Sequence, residues 1–365
     1  MSAYDVIVIG GGAAGAASAQ ELSRAGRRVL VLEPGNTPGQ AWRAAAGMLA
    51  PQIEAGPGDP LLGLGLAARD HYTGLAAALL DRTGMDIGLW QEGIARVATS
   101  DVEAAELRAN VLWQQRQGHV CEWLEPDEVR RQWPWLGPTT GALLAPRDGA
   151  IDPGQLVRAL RADAEQAGAV VTRDRAVRIE QAGNRVTGVA GESGSYAADQ
   201  VILAAGAWSG LLDGLPRPLP VQPVRGQMAA LPWPAEVPRA IVYNKDCYLL
   251  ARGGEAIIGS TMEQVGFQPE ATAAGVARIL SATVLLYPNL IRAKVRRTWA
   301  GLRPMTPDGL PIIGGEPLLR GLWYATGHGR NGILLAGITG RLIRQLLDSE
   351  ATAHDLRAFS ASRFF

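Results

Sequence analysis

Arg303 stands in TWAGLRPMTPDGLPIIG (residues 298–314), an otherwise apolar and turn-rich stretch. A guanidinium cannot shed its charge, so an arginine in such surroundings needs an anion. The stretch itself offers only Asp308, which sits in a Pro-Asp-Gly turn signal. Two kinds of partner are open: an internal carboxylate, from Asp308 or Glu263, or one brought in by a ligand. In either case the planar fork of the guanidinium fixes orientation as well as charge.

A second set of residues can hold phosphate. In GGGAAG, Gly10, Gly12 and Gly15 form a G-x-G-x-x-G pattern between an apolar strand and a helix. Gly10 permits a tight turn, Gly12 lets the backbone approach a pyrophosphate, and Gly15 lets helix and strand pack closely. The helix start then offers free N–H groups. Glu33 ends the next strand, 23 residues after Gly10, where a carboxylate can accept both ribose hydroxyls. A dinucleotide is expected. Two more glycine turns follow apolar strands, AGAWS around Gly206 and ATGHGRNGI (325–333). The second is expected to open a helix at about Asn331, with Gly332 leaving N–H groups accessible. Such a helix start would stabilise negative charge on a reduced flavin; an ordinary strand–loop–helix crossover is the alternative.

The elements that must position these residues are legible in part. YDVIVIG (4–10) and RRVLVLE (27–33) are buried strands flanking a helix over 11–26. Residues 60–84 have helical spacing, and 90–136 read as strand and short helix. Asp152 caps a further helix, with Pro153 at its first position and Gly168 as its stop. Two short strands are expected around 175–190 and a buried strand within 196–212. From 217 to 305 prolines and hairpin signals suggest a mostly antiparallel sheet; 321–350 return to strand, glycine loop and helix. The fold class is α/β (α+β overall). A discontinuous dinucleotide domain (1–85, 145–215 and 306–365) carries an inserted substrate domain (86–144 and 216–305).

Composition excludes several classes. With 35 acidic and 35 basic residues in 365, no basic field exists to hold nucleic acid. Cys121 and Cys247 are far apart and the four histidines are scattered, so neither a disulfide framework nor a metal site is expected. No run reaches the roughly 18 apolar residues of a spanning helix, and MSAYDVIVIGGG lacks the basic region of a signal peptide. A cytoplasmic protein without membrane partners is expected.

GGGAAG, AAAGMLAPQIEA (44–55), GAWS, TWAGLRPMTPDGLPIIG and TGHGRNGILLAGITG (326–340) together resemble the D-amino-acid oxidase superfamily, and within it the glycine oxidases of the thiamine-biosynthesis type. The resemblance runs from the first strand to the last helix. It implies a Rossmann-like FAD domain with non-covalent FAD, contacted by Ala13 and Ala14 in the first turn and by Glu33 and Pro34 after the second strand. Ala41, Trp42, Ala46, Gly47 and Met48 would line the segment under the flavin ring. Val177 would offer its backbone to the adenine. His328, Gly329, Arg330, Asn331, Gly332, Ile333 and Leu334 would wrap the isoalloxazine. Core packing is the alternative for Trp42 and Met48.

In that family the arginine of G-L-R-P grips the substrate carboxylate, which gives Arg303 an external anion. Tyr248 matches a tyrosine supporting the carboxylate, Met262 a pocket residue, and Arg330 could touch substrate, ring or both. The implied reaction is oxidative deamination of glycine, sarcosine and small D-amino acids by hydride transfer to flavin N5. Its products are an imine or oxo acid, ammonia and, with oxygen, hydrogen peroxide, with a role in thiamine thiazole synthesis. No catalytic acid–base residue is implied, and a homotetramer or dimer is. The alternatives are a dehydrogenase of the same fold and a flavin-binding protein without turnover. Two positions depart from the pattern. Gly329 stands where a bulky residue is usual, and Arg43 is charged among small residues, facing either cofactor or solvent. Cys121 and Cys247 lie outside the flavin motifs, so a covalent thioether is not expected.

Overall fold

The computed structural model describes residues 4–365. Val6–Ile9 is buried on both faces, because its alternate side chains enter two different cores. It lies inside a six-stranded sheet ordered 312–315, 322–326, 200–203, 6–9, 29–32 and 170–172. All neighbours in this sheet are parallel except Ile312–Gly315, which returns antiparallel to Leu322–Thr326. Val6, Val8, Val29 and Val31 face the helices Ala13–Arg24, Leu62–Thr83, Pro153–Gln166 and Ala336–Leu347. Ile7, Ile9, Leu30 and Leu32 face a three-stranded antiparallel sheet of residues 176–182, 185–191 and 195–197. Continuous apolar strands are what two covered faces require. The two strands expected near 175–190 are thus joined by a third.

An eight-stranded sheet is ordered 297–305, 222–232, 255–259, 248–252, 241–243, 94–98, 141–145 and 122–124. Its neighbours are antiparallel apart from Ile241–Tyr243 beside Ile94–Ala98. Two of its helices depart from the sequence reading. Residues 90–136 hold a short helix, Pro126–Gln132, as expected, and also a long one, Asp101–Arg116, 16 residues long and capped by Ser100, whose Oγ accepts from Glu103 N. A 14-residue helix, Ala273–Leu286, lies in the region read as sheet, with Thr272 as its cap. Its buried positions Gly275, Ile279, Thr283 and Leu286 repeat at helical spacing. That periodicity was present in the sequence beneath the proline and hairpin signals around it.

Candidate active site

The N-terminus of the helix Ala13–Arg24 has no side-chain cap, and Gly12, Ala13 and Ala14 line a cavity of about 800 Å³. That volume lies in the range of small-molecule and cofactor sites. Apart from Gly15 and Leu334, every site residue anticipated from the sequence contributes to its wall. Gly15 faces the strand instead, where an added Cβ would lie 1.8 Å from the Gly10 carbonyl oxygen. Leu334 is buried in the helix-side core. Gly15 thus holds the close helix–strand approach read from its motif, and Leu334 packs in the core.

Several contacts shape the cofactor end. Glu33 is buried, its carboxylate accepting from Gly11 N at 2.7 Å and Gln40 Nε2 at 2.8 Å. Arg161 approaches the same carboxylate at 3.7 Å. Gln40 and Arg161 were missed in the sequence, since nothing in their spacing connects them to the glycine turn. Trp42 Nε1 is buried with no hydrogen-bond partner among the described residues. Its ring lies 3.4 Å from where a Cβ on Gly12 would stand. A stranded indole donor beside an uncapped helix start suits an acceptor-only group such as a pyrophosphate. Arg43 does not line the cavity; it is exposed and stacks 4.3 Å from the Trp42 ring centroid.

The segment 44–48 is held from the eight-stranded sheet. Trp299 Nε1 donates to the Ala44 carbonyl at 3.1 Å, and Arg252 Nη1 to the Ala46 carbonyl at 2.8 Å. Gly47 has φ +92°, and a Cβ there would lie 2.1 Å from the Ile151 carbonyl oxygen. Glycine at position 47 is therefore imposed by backbone proximity.

Across the cavity, the loop after Leu322–Thr326 departs from expectation. The helix does not open at Asn331: Gly329–Asn331 is a single 3-10 turn and the α-helix begins at Ala336. The residues reaching the cavity are thus this turn with Gly332 and Ile333. Gly329 has φ +55°, and a Cβ there would meet Met305 Sδ at 2.8 Å. Left-handed backbone and a close neighbour both favour glycine at this point. His328 is buried, its Nε2 3.0 Å from Thr339 Oγ1, and burial lowers its pKa to about 4.

That shift makes stability pH-dependent with a defined sign. Because the folded pKa is depressed, the unfolded chain takes up the proton first as pH falls from about 6.5. The native state should lose up to about 3 kcal/mol between about pH 6.5 and 4 from this one group, and nothing further below. His328→Gln should flatten that part of the acid-side fall in Tm; an unchanged pH profile would show that His328 is not the group responsible.

Arg303 sits on the strand Arg297–Met305, over Gly226 of the neighbouring strand. A Cβ on Gly226 would lie 2.1 Å from the guanidinium, so that glycine makes its room. Arg303 Nη1 donates to the Thr261 carbonyl at 3.0 Å and Nη2 to Ser260 Oγ at 2.6 Å. Neither internal carboxylate is its partner. Asp308 pairs with Arg363 and Glu263 with Arg225, each at 2.7 Å. Burial lowers the Arg303 pKa, opposed by Tyr248 and reinforced by the nearby charge of Arg330. It is a desolvated cation held by neutral oxygens.

Tyr248 is buried beside it, its hydroxyl 3.0 Å from Met228 Sδ. Met262 is half exposed at the cavity rim. Arg330 is engaged by Glu54, with Nη1 2.7 Å from Oε1, and Tyr243 donates to the same oxygen at 3.2 Å. Glu54 and Tyr243 were also missed. Glu54 lies within the AAAGMLAPQIEA motif, while Tyr243 is paired with Tyr248 across the hairpin. Cys247 reaches the wall, but burial pushes its thiol up to about 12. It is not a thiolate nucleophile at neutral pH.

The chain matches the family described as FAD dependent oxidoreductase over residues 5–346, and it belongs to that family. Its cofactor is FAD, which the stranded Trp42 donor, the uncapped helix and the glycine-lined wall all fit. The protein is an FAD-dependent amino-acid oxidase, similar to glycine oxidase of Geobacillus kaustophilus (strain HTA426). The two are 36% identical, with 99% of this chain and 97% of that protein covered. The crystal structure of glycine oxidase from Geobacillus kaustophilus superposes with a TM-score of 0.95 at 35% identity, covering 100% of this chain and 99% of that one. Bifunctional protein ThiO/ThiG of Trichormus variabilis is 36% identical over 99% of this chain, which spans 55% of that longer protein. Among the described residues, no helix is long and apolar enough to cross a membrane.

Proposed function

We propose that the protein oxidatively deaminates glycine and other small amines carrying one carboxylate, such as sarcosine and small D-amino acids. The observation that carries this reading is Arg303, a desolvated guanidinium in the cavity with no carboxylate partner among the described residues. Its fork receives the substrate carboxylate, and the Tyr248 hydroxyl lies close enough to Arg303 to support the same group. Bound FAD supplies the hydride acceptor. The protein's part is orientation. Arg303 fixes one end of the amino acid, and the small residues 44–47 leave space beside it. Neutral His328 adds no competing cation. No protein base is required when the amine enters unprotonated. The product imine either hydrolyses to an oxo acid and ammonia or is captured for thiamine thiazole synthesis, and oxygen is reduced to hydrogen peroxide.

The test is anaerobic mixing of the yellow holoprotein with glycine, followed at the oxidised-flavin absorbance. Bleaching within seconds, then recovery in air with one peroxide per flavin, is expected. A flavin that stays oxidised with glycine, sarcosine and D-alanine alike overturns the reading. Bleaching without peroxide would replace the oxidase with a dehydrogenase.

A further inference from the structure

The cavity wall carries three guanidinium groups, and two of them, Arg303 and Arg330, differ in one respect. Arg303 is held by neutral oxygens alone, whereas Arg330 is already paired with Glu54 at 2.7 Å. The other two cations at the wall are likewise paired, Lys245 with Glu103 at 2.9 Å and Arg175 with Glu192 at 3.3 Å. Among the described residues, only one cation of the wall therefore stands open to an incoming carboxylate. We propose that Glu54 is a charge lock on Arg330, a specificity-determining residue that restricts the site to amino acids with a single carboxylate. The proposal rests on the reading of Arg303 as the carboxylate seat.

Three features support it. First, Arg330 and Arg303 share one cavity, and each is within electrostatic reach of the other. A free Arg330 would offer a second bidentate seat, suited to the side-chain carboxylate of an acidic amino acid. Second, Glu54 is held in place from the far side. Tyr243 donates to its Oε1, and the Tyr243 ring stacks on Tyr248 with centroids 6.1 Å apart. The lock is thereby keyed to the same hairpin that carries the tyrosine beside Arg303. Third, Glu54 is the less exposed partner, with 18% of its side chain accessible against 44% for Arg330. A second substrate carboxylate would have to displace Glu54 and then remain beside it. Discrimination of this kind works by placing a like charge where the wrong ligand must go.

Glu54→Gln removes the charge and keeps the shape. D-aspartate and D-asparagine differ almost only in charge, so the ratio of their kcat/KM values reads the lock directly. Glu54→Gln should raise the aspartate-to-asparagine ratio about tenfold, the pair being partly solvent-exposed. Adding Arg330→Gln should abolish the gain. Arg330→Gln alone should lower the ratio below that of the wild type, since Glu54 is then an unopposed negative charge. A change below about threefold in Glu54→Gln, or a gain that survives loss of Arg330, overturns the proposal. If Glu54→Gln does not hold flavin, the Arg330→Gln ratio decides alone, and a value that stays or rises overturns it. Malonate and acetate binding, read from perturbation of the flavin absorbance, separates this proposal from the substrate reading. A malonate-to-acetate affinity ratio raised by Glu54→Gln in a protein that oxidises no amine would leave the lock standing and remove the substrate. Normal glycine turnover with an unmoved ratio would do the reverse.

Discussion

Arg303→Ala is expected to raise KM for amino acids by about thirtyfold to several thousandfold while leaving flavin bound. The range corresponds to the roughly 2–5 kcal/mol lost when one partner of a hydrogen-bonded charge pair is truncated. The expectation follows from how Arg303 is held. Its two nitrogens donate to a hydroxyl and a peptide carbonyl, and burial pulls its pKa down. A cation kept in that setting is stabilised strongly by an arriving carboxylate. The residues that suit the cofactor belong to other segments, at 10–14, 41–48 and 328–333, so the flavin spectrum of the purified variant should be normal. Arg303→Lys should fall between wild type and alanine, because it retains charge but loses the two-pronged geometry. Steady-state peroxide production with glycine checks both. A KM unchanged in Arg303→Ala would remove the residue from this role.

What could be seen in the sequence divides along physical lines. The glycine turn, Glu33 and the flanking strands were legible because they form one contiguous strand–turn–helix–strand unit, in which local patterning and chemistry coincide. Arg303 was conspicuous because charge in an apolar stretch demands an explanation. Its internal partners could not be excluded from sequence, since only the fold shows Asp308 committed to Arg363 and Glu263 to Arg225. The Glu54–Arg330 pair joins residues 276 positions apart, and no periodicity connects them. Arg161, from a distant helix, donates to the Gly11 carbonyl at 2.8 Å in the same way unseen. The helix 273–286 is a different kind of miss. Its spacing was readable, but neighbouring prolines and hairpins dominated the window. The loop at 329–335 shows a third kind, in which N-G-I-L-L has helical character yet the α-helix proper waits until Ala336.

Gly15→Ala is the second large effect, and it separates the two roles of the glycine motif. The new methyl would stand 1.8 Å from the Gly10 carbonyl oxygen and 3.2 Å from Ala204 Cβ. Gly10 cannot yield, because its own N–H donates to the Leu32 carbonyl at 2.9 Å and its φ of +94° leaves it packed against Ala204. Relief requires the helix Ala13–Arg24 to lift from the sheet. Overpacking usually costs about 1–3 kcal/mol, and a clash with backbone lies at the upper end. With about 2–4 °C of Tm per kcal/mol in a larger domain, Tm should fall by about 6–12 °C. Lifting the helix also displaces the N–H groups of Gly12 to Ala14 from the cavity, so the variant should purify with little flavin. Gly12→Ala is the control that distinguishes packing from binding. Its methyl meets only the Trp42 ring, at an ordinary 3.4 Å, so the flavin-free protein should unfold at the wild-type temperature and lose affinity for FAD alone. Thermal unfolding of both variants with and without added FAD decides the matter. A Gly15→Ala protein as stable as wild type without flavin would mean that the helix and strand are not held together at Gly15.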